Sequence, residues 1–313
     1  MTALPPPDPA FILRGTSSQV TAVCAYDPFI ITGTQGGKVQ IWDLKSRRII
    51  HQTFDGGEGQ SILSIRTIRD QIITHCRDGA LKMWTFEDKK LVSKGTIHCH
   101  SGTFLPMEIG IYNEESVMMI PGPETSEVDI IYLNKKEIAS RLLVKNSGEK
   151  GYGLCMCGKF VYQNSVIVIG YENGCIALWD ISKPSARELD KLSCHSETVT
   201  ALDYSEKVNR GISGSADDKI AIWNLTKDNK LTAFRTLSIT NPGVNAIKIR
   251  QDSKIFATGG WDHNIRIFGM KKLQQLAVLS FHRESISKLD FGNDFLLFAS
   301  SLDQTVSAWS IYR

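Results

Sequence analysis

The amino-acid sequence predicts an all-β fold, a seven-bladed β-propeller whose last blade is closed by the N-terminal strand. Three observations predict it. A short apolar strand with an aromatic anchor recurs seven times, and the segments between anchors alternate apolar and polar residues. The last repeat also ends one strand short, while a spare strand precedes the first repeat. Together these observations indicate one closed ring of antiparallel sheets.

The aromatic anchors recur at intervals of 41 to 48 residues, the period of a four-stranded propeller blade. Six repeats are well formed: KVQIWDL (38–44), ALKMWTF (80–86), CIALWDI (175–181), KIAIWNL (219–225), NIRIFGM (264–270) and TVSAWSI (305–311). A degenerate copy, EVDIIYL (127–133), fills the one long gap. The anchors are Trp42, Trp84, Tyr132, Trp179, Trp223, Phe268 and Trp309.

Within each repeat, period-two alternation and closely spaced turns predict antiparallel strands, and no segment has the pattern of an amphipathic helix. The last repeat ends directly after its third strand, at Arg313. The spare segment AFILRG, from Ala10 to Gly15, is expected to fill the vacant fourth place and so to leave no open sheet edge between the first and last blades. The sequence therefore predicts one propeller over residues 10–313, preceded by a proline-rich tail over residues 1–9.

The composition is typical of a globular protein and argues against several classes. Hydrophobic residues make up 42% of the 313 residues and charged residues 22%, and the net charge of +3 gives no reason to expect nucleic-acid binding. No apolar run reaches the roughly 18 residues that span a bilayer, and the N-terminus lacks the pattern of a secretory signal. The seven cysteines show no paired framework, so reduced thiols and a cytoplasmic or nuclear location are expected.

Serine, histidine and aspartate lie close together in GISGSADDKIAIWNL (211–225) and the segment before it, which suggests either a hydrolase or a structural device. An acidic or amide residue recurs six positions before the anchor, and a hydroxyl recurs four residues earlier still. Because the pattern decays gradually over several repeats and no G-x-S-x-G motif is present, repeated packing is favoured over a single nucleophile. The recurring residues are Asp78, Asn173, Asp217, Asp262 and Asp303, with the hydroxyls of Thr32, Thr74, Ser213 and Thr258.

This pattern resembles that of the WD-repeat family, whose blades hold a hydrogen-bond chain of Trp, Ser or Thr, His and Asp. The resemblance implies one complete chain in blade five, in which the imidazole lies between the carboxylate and the hydroxyl, and the hydroxyl meets the indole. Its members are His195, Ser213, Asp217 and Trp223.

The resemblance implies only partial chains in three other blades. Blade seven has an alanine, Ala299, at the hydroxyl position, and blades two and six lack the histidine. The remaining members are His282, Asp303 and Trp309 in blade seven, Thr74, Asp78 and Trp84 in blade two, and Thr258 and Asp262 in blade six.

The segment IHCHSG (97–102) is a candidate metal site, because His98 and His100 could share one side of a strand. No further ligands lie at a suitable spacing, so neither a metal nor any other cofactor is expected.

Two opposite faces of the ring are candidates for binding. The turns after the anchors are basic, at Lys45, Lys89, Lys135, Lys183, Lys227 and Lys271 among others, but neighbouring acidic residues make solvated turns the favoured interpretation. On the other face, the residue before each structural acid should lie near the channel mouth. Trp261 is the notable one, because an exposed aromatic is typical of a binding hot spot. The candidate residues on this face are Gln35, Arg77, Glu172, Trp261 and Leu302.

More narrowly, the chain resembles the guanine-nucleotide-binding protein β-subunit-like proteins, whose fungal relatives are subunits of the ASTRA complex. The resemblance rests on PPPDPAFILRGT (5–16), RGISGSA (210–216), TNPG (240–243), GWDHNIRIF (260–268) and LAVLSFH (276–282). It implies a non-catalytic scaffold that acts with the TTT and ASTRA machinery in the maturation of phosphatidylinositol-3-kinase-related kinases. The short proline-rich segment before the first strand is not expected to form a coiled coil, so no G-protein γ partner is predicted.

Two other functions remain open alternatives. A substrate receptor of a cullin-type ubiquitin ligase often carries W-D-x-R, whereas the copies here read WDLK (42–45) and WDIS (179–182). A reader of histone tails or other peptides would use the mouth of the channel.

Overall fold

The computed structural model describes residues 7–55, 59–101, 104–124, 126–143, 151–161 and 165–311. Within these ranges the strands form seven four-stranded antiparallel sheets arranged as the blades of a propeller. The all-β propeller that the sequence predicts is therefore confirmed. Part of the predicted tail, residues 1–6, lies outside the described residues.

The strands follow one another blade by blade, with the first strand of each blade innermost. Blade one contains β2 (Val20–Tyr26), β3 (Phe29–Thr34), β4 (Lys38–Asp43) and β5 (Arg48–Phe54). Blade two contains β6 (Ile62–Ile68), β7 (Gln71–Cys76), β8 (Ala80–Glu87) and β9 (Lys90–His98). Blade three contains β10 (Glu108–Tyr112), β11 (Glu115–Pro121), β12 (Val128–Tyr132) and β13 (Glu137–Leu142). Blade four contains β14 (Cys155–Val161), β15 (Val166–Tyr171), β16 (Cys175–Asp180) and β17 (Arg187–Ser193).

The remaining blades repeat the pattern until the chain returns to its beginning. Blade five contains β18 (Val199–Ser205), β19 (Arg210–Ser215), β20 (Lys219–Leu225) and β21 (Leu231–Ser238). Blade six contains β22 (Val244–Ile249), β23 (Ile255–Gly260), β24 (Asn264–Gly269) and β25 (Gln275–Ser280). Blade seven contains β26 (Ile286–Phe291), β27 (Leu296–Ser301), β28 (Val306–Ser310) and, as its outer strand, β1 (Phe11–Leu13). A 3-10 turn, Glu206–Val208, lies between β18 and β19.

The ring is closed by antiparallel pairing of β1 with β28, as predicted. The pairing places Phe11 opposite Ala308 and Leu13 opposite Val306. Leu13 is buried in a cluster that includes Val306 of blade seven and Trp42 of blade one. The closing strand therefore joins two blades through its side chains as well as through its backbone.

Side chains on the innermost strands also link neighbouring blades. In several blades the second residue of the first strand donates a hydrogen bond to a backbone carbonyl at the start of the next blade. Because this carbonyl lies at the wall of the channel, each link fixes the spacing of two blades at the axis. The links are Thr21 to Ile62 at 2.6 Å, Thr200 to Val244, Asn245 to Ile286 at 3.0 Å and Ser287 to Val20 at 2.6 Å.

Blade three forms a regular sheet although its repeat lacks both the tryptophan and the acidic residue. Its third strand, β12, is the predicted degenerate copy and pairs with β11 and β13. Arg141 on β13 makes a two-pronged ion pair with Asp129 on β12, with N–O distances of 2.5 and 2.8 Å. This charged cross-strand pair stabilises a blade that lacks the usual anchor.

Among the residues that the structure describes, no helix is long and apolar enough to cross a membrane.

We expect the closing strand to stabilise the whole ring. Replacing Leu13 by alanine should lower the free energy of unfolding by about 2–4 kcal/mol, because it leaves a cavity between blades seven and one. Urea denaturation followed by circular dichroism measures the change. Arg14→Ala is the matched control, since this exposed neighbour should shift the free energy by less than about 0.5 kcal/mol. Equal effects of the two variants would contradict the closing role of β1.

Candidate functional site

The predicted chain in blade five is present in two of its three links. His195 Nδ1 lies 3.1 Å from Asp217 Oδ2, and His195 Nε2 lies 3.0 Å from Ser213 Oγ. Burial lowers the pKa of His195, so the imidazole is neutral at pH 7 and donates from Nδ1 to the carboxylate. The serine hydroxyl then donates to Nε2.

The third link was predicted wrongly, because the Trp223 indole does not reach Ser213. The indole nitrogen is buried and has no hydrogen-bond partner among the described residues. A Cβ at Gly211, which faces Trp223 across the strands, would lie only 2.2 Å from the indole ring. The ring fills the space of this missing side chain and stacks on Tyr204 at a centroid distance of 5.8 Å. Packing on the glycine thus replaces the hydrogen bond.

Blade seven, predicted to be incomplete, holds the full chain. His282 Nδ1 lies 2.9 Å from Asp303 Oδ2, and Ser307 supplies the hydroxyl. Trp309 donates to Ser307 at 2.7 Å, and Ser307 lies 2.7 Å from His282 Nε2. Ser307 on β28 faces Ala299 on β27, so the hydroxyl comes from the strand opposite the expected position.

The same exchange explains why the sequence pattern missed this serine. In blade five the cross-strand pair is Ser213 with Ala221, whereas in blade seven it is Ala299 with Ser307. Either member of the pair can place a hydroxyl between the imidazole and the indole. The signal in the sequence was the residue two positions before the anchor, which is polar in four blades: Gln40, Lys82, Arg266 and Ser307.

Blades one and two keep the bond between indole and hydroxyl without a histidine. Trp42 donates to Thr32 and Trp84 donates to Thr74, each at 2.9 Å. In blade one Gln40 faces Thr32 and lies within 3.5 Å of its hydroxyl. In blade two Lys82 faces Thr74, and its amine reaches the carboxylate of Asp55.

The histidine position of blade two is occupied by a carboxylate. Asp55 and His195 each donate their backbone N–H to the turn glycine of the preceding blade, which shows that the two positions are equivalent. Asp55 is fully buried, and its Oδ1 lies 3.2 Å from Lys82 Nζ. Burial raises the pKa of Asp55. An ion pair therefore replaces the imidazole in this blade.

In blade six an arginine takes the part of the histidine as the partner of the acidic residue. Arg266, which faces Thr258 across the strands, makes two bonds of 3.1 and 2.6 Å to Asp262. Hydrogen bonds from Arg266, Asn241 and Asn264 hold the pKa of Asp262 well below its usual range. Arg266 thus holds Asp262 in a blade that lacks the histidine. The partial chain implied by the resemblance, with Thr258 and Asp262 as its members, is replaced by this ion pair.

The acidic residue persists because it has a second role in every such turn. Asp217 accepts the backbone N–H of Lys219 at 2.9 Å, and Asp303 accepts that of Thr305 at 3.0 Å. Asp78 and Asn173 accept the corresponding N–H of Ala80 and Cys175. The side chain therefore caps the turn whether or not a histidine is present.

Burial makes the blade-five chain unsuitable for hydrolysis. The side chain of His195 is 0% exposed and Ser213 is fully buried, so a substrate cannot reach the hydroxyl. A catalytic serine needs access and donors for an oxyanion. The arrangement instead satisfies buried polar groups, which stabilises the blade.

The candidate binding residues lie on one face of the ring, because each makes the same type of backbone hydrogen bond. The backbone N–H of each donates, over 2.9–3.1 Å, to the residue that directly precedes the first strand of its own blade. Since these first strands line the channel, the turns surround its mouth. We call this surface the Trp261 face; its members are Gln35, Arg77, Glu172, Ala216, Trp261 and Leu302.

Trp261 lies flat on its own blade and remains accessible. A Cβ at Gly243 would lie 2.3 Å from the indole, so only glycine permits this position, and Gly243 has a φ of +94°. The tryptophan is nevertheless 47% exposed. A rigidly seated, half-exposed indole is suited to protein contact.

The structure adds one aromatic that sequence reasoning missed. Phe104, in the loop between blades two and three, is 48% exposed and lies under the guanidinium of Arg77 at 4.6 Å. A phenylalanine in a polar loop was the available signal. Glu172 is exposed and accepts the backbone N–H of Leu154, and Leu302 is half-buried.

The opposite face carries the basic turns, and acidic neighbours offset part of their charge. Lys135 pairs with Glu115 at 2.7 Å, and Lys230 lies 3.9 Å from Asp190. Exposed pairs of this kind contribute little to stability but reduce the positive potential of the face.

The cysteines are all free thiols. Cys99 lies 3.6 Å from His75 Nε2, while His98 and His100 are exposed. In the described ranges no three His, Cys, Asp or Glu side chains cluster as metal ligands would.

Comparison with known proteins places the chain among repeat proteins of this type. The family model described as WD domain, G-beta repeat matches residues 7–43, 186–224 and 233–269. The chain is 35% identical to guanine nucleotide-binding protein subunit beta-like protein 1 of Mus musculus, over 98% of this chain and 97% of that protein. It is 25% and 24% identical to ASTRA-associated protein 1 of Schizosaccharomyces japonicus and Schizosaccharomyces pombe, over 98% of this chain and 99% of each relative. The similarity thus extends over nearly the whole ring.

Ser307 should be essential to the blade-seven chain. Ser307→Ala should lower the free energy of unfolding by about 2–4 kcal/mol, because it leaves both the imidazole and the indole nitrogen buried without a partner. Adding Ala299→Ser should recover roughly half of the loss, since a serine there restores the bond to the histidine, as in blade five. Ser310→Ala, an exposed site on the same strand, is the control in urea denaturation. No recovery in the double variant would contradict the equivalence of the two positions.

The buried histidines should make stability depend on pH between 5 and 7. Burial lowers the pKa of His75 to about 4, so the folded state binds fewer protons than the unfolded state below pH 6.5. Stability is therefore complete above pH 6.5 and falls as the pH decreases, by about 2 kcal/mol at pH 5 for this group. Denaturation of His75→Gln should show a shallower slope, whereas the exposed His263→Gln should match the wild type. Parallel slopes for all three proteins would contradict this origin.

Proposed function

The chain belongs to the WD40-repeat family of guanine nucleotide-binding protein subunit beta-like protein 1, and from this premise we propose a non-catalytic scaffold that acts within an ASTRA-type assembly. The observation that carries the proposal is the full-length similarity to proteins named ASTRA-associated protein 1. A likeness confined to the repeats would support only the fold. Here it also extends over the turns, where a propeller contacts its partners.

The architecture supports a protein-interaction scaffold in physical terms. The described polar residues of the blade interiors largely bind one another, and the turns rest on a closed sheet ring. A partner therefore meets a preorganised surface and little conformational entropy is lost on binding. Trp261, Arg77 and Phe104 supply the residue types that dominate binding energies at such surfaces.

The proposed clients are phosphatidylinositol-3-kinase-related kinases, met together with the TTT components in the cytoplasm or nucleus. Support for this step comes from the resemblance to the ASTRA-associated proteins alone. The Trp261 face is the proposed contact, because its aromatic and cationic side chains are exposed while those of the opposite face are mostly lysines beside acids.

Affinity purification with mass spectrometry tests both the partner and the face. Tagged wild type should recover ASTRA and TTT subunits and the kinases. Trp261→Ala should recover at least about tenfold less, since loss of a hot-spot aromatic costs 2 kcal/mol or more. Phe234→Ala is the matched control, because this phenylalanine is equally exposed, at 51%, but lies on the outer strand of blade five.

The outcomes separate the competing functions. Recovery of cullin-ligase subunits in place of kinase-maturation factors would overturn the proposal in favour of a substrate receptor. Selective capture of histone tails or other short peptides would favour a peptide reader. Unchanged recovery by a correctly folded Trp261→Ala protein would leave the assembly proposal standing but reject the Trp261 face as its contact.

A further inference from the structure

The axis of the ring contains a cavity of about 80 Å³, lined by residues of all seven blades. A site of this size holds several water molecules or an ion of a few heavy atoms, since one water needs only about 10–15 Å³ on this measure. Its wall consists mainly of the innermost strands β2, β6, β10, β14, β18, β22 and β26. The cavity is therefore a property of the closed ring rather than of one blade.

Charged side chains of alternating sign surround this cavity, one from each blade from two to seven. We call them the channel circle: Arg66, Glu108, Lys159, Asp203, Lys248 and Asp290. Three cations and three carboxylates leave the circle electrically neutral.

Ion pairs join the circle on the side of blades two to five. Glu108 lies 2.8 Å from both Arg66 Nε and Lys159 Nζ. Lys159 also lies 3.3 Å from Asp203. The two cations hold the pKa of Glu108 well below its usual range, so this carboxylate stays ionised.

The other carboxylates are equally occupied. Asp290 lies 2.8 Å from Lys248 and accepts the backbone N–H of Ala25 in blade one at 2.8 Å. Asp203 accepts the backbone N–H of Ile249 in blade six at 2.8 Å. Glu108 thus pairs with two cations, whereas Asp203 and Asp290 each pair with one cation and accept a backbone N–H from a neighbouring blade.

One further cation, Lys288 on β26, lines the same cavity and has no carboxylate of the circle as its partner. Its side-chain amine has no hydrogen-bond or ion-pair partner among the described residues, and the three carboxylates already serve the circle. Desolvation and the nearby charge of Arg66 lower the pKa of Lys288 to about 8, while Cys157 and Glu108 act in the opposite direction. With Lys288 protonated, the channel carries one uncompensated positive charge.

We propose that the channel binds a small oxyanion, of the phosphate or carboxylate type, as the counterion of Lys288. A positive charge in a confined site is costly unless it is paired, and the neutral circle supplies no free carboxylate. The cavity has room for such an ion, and Arg66 and Lys288 face it from blades two and seven. A metal cation would instead increase the surplus of positive charge. Because all the first strands meet here, the bound ion would join the blades at the axis.

Thermal unfolding with inorganic phosphate exchanged for chloride at constant ionic strength tests the proposal. Wild type should show a saturable rise in Tm of about 2–4 °C, because a ligand that binds only the folded state stabilises it. Lys288→Met should lose the saturable rise, and Lys288→Arg should keep it. Lys271→Met is the matched control, since it removes one exposed positive charge from the opposite face.

The same variants also show whether Lys288→Met loses the rise in Tm only because it folds poorly. In chloride alone Lys288→Met should be no less stable than Lys271→Met, because it removes an unpaired charge. A second arm with acetate distinguishes a carboxylate from a phosphate ligand, and a Lys288-dependent rise with either supports the site. The same rise in wild type and Lys288→Met, or no saturable rise with either anion, would overturn it.

Discussion

The pairing of β1 with β28 is the interaction on which the rest of this structure depends. It joins the two ends of the chain, because the N-terminal strand supplies the fourth strand of the last blade and so closes the ring between blades seven and one. Closure brings the seven innermost strands together at one axis. The link from Ser287 to Val20 depends on this closure, because it crosses from blade seven to blade one.

Each blade buries an aromatic anchor together with polar side chains, and these buried polar groups need hydrogen-bond or ion-pair partners. The anchor and the turn-capping acid are constant in most blades, whereas the group between them varies with the residue two positions before the anchor. Ser307 completes a histidine chain, Arg266 replaces the histidine, and Lys82 forms an ion pair with Asp55. The blades are therefore equivalent in backbone but not in chemistry, which is what a repeat allows when each unit is stabilised locally.

The sequence was sufficient for the features that repeat along the chain. The period of the anchors, the alternation and the spare strand at Phe11–Leu13 predicted the ring and its closure. It was not sufficient where strand register decides the contact. The role of Ser307 depends on the register that places it opposite Ala299. The predicted bond of the Trp223 indole is absent because the ring packs on Gly211, which lies opposite it. The channel circle combines single residues from six repeats, so no local pattern could reveal it.

The division of polar groups between interior and turns explains why this ring suits binding better than chemistry. Carboxylates with strongly lowered pKa values, such as Glu108, Asp262 and Asp303, are held by fixed internal partners, and the fold would lose stability if they were released to act on a substrate. The turns have the opposite character, because their backbone is fixed by bonds to the inner strands while their side chains remain exposed. Trp261, seated on Gly243, can therefore contact another protein without any change in the ring. Specificity can then change through turn residues while the closed ring that supports them stays the same.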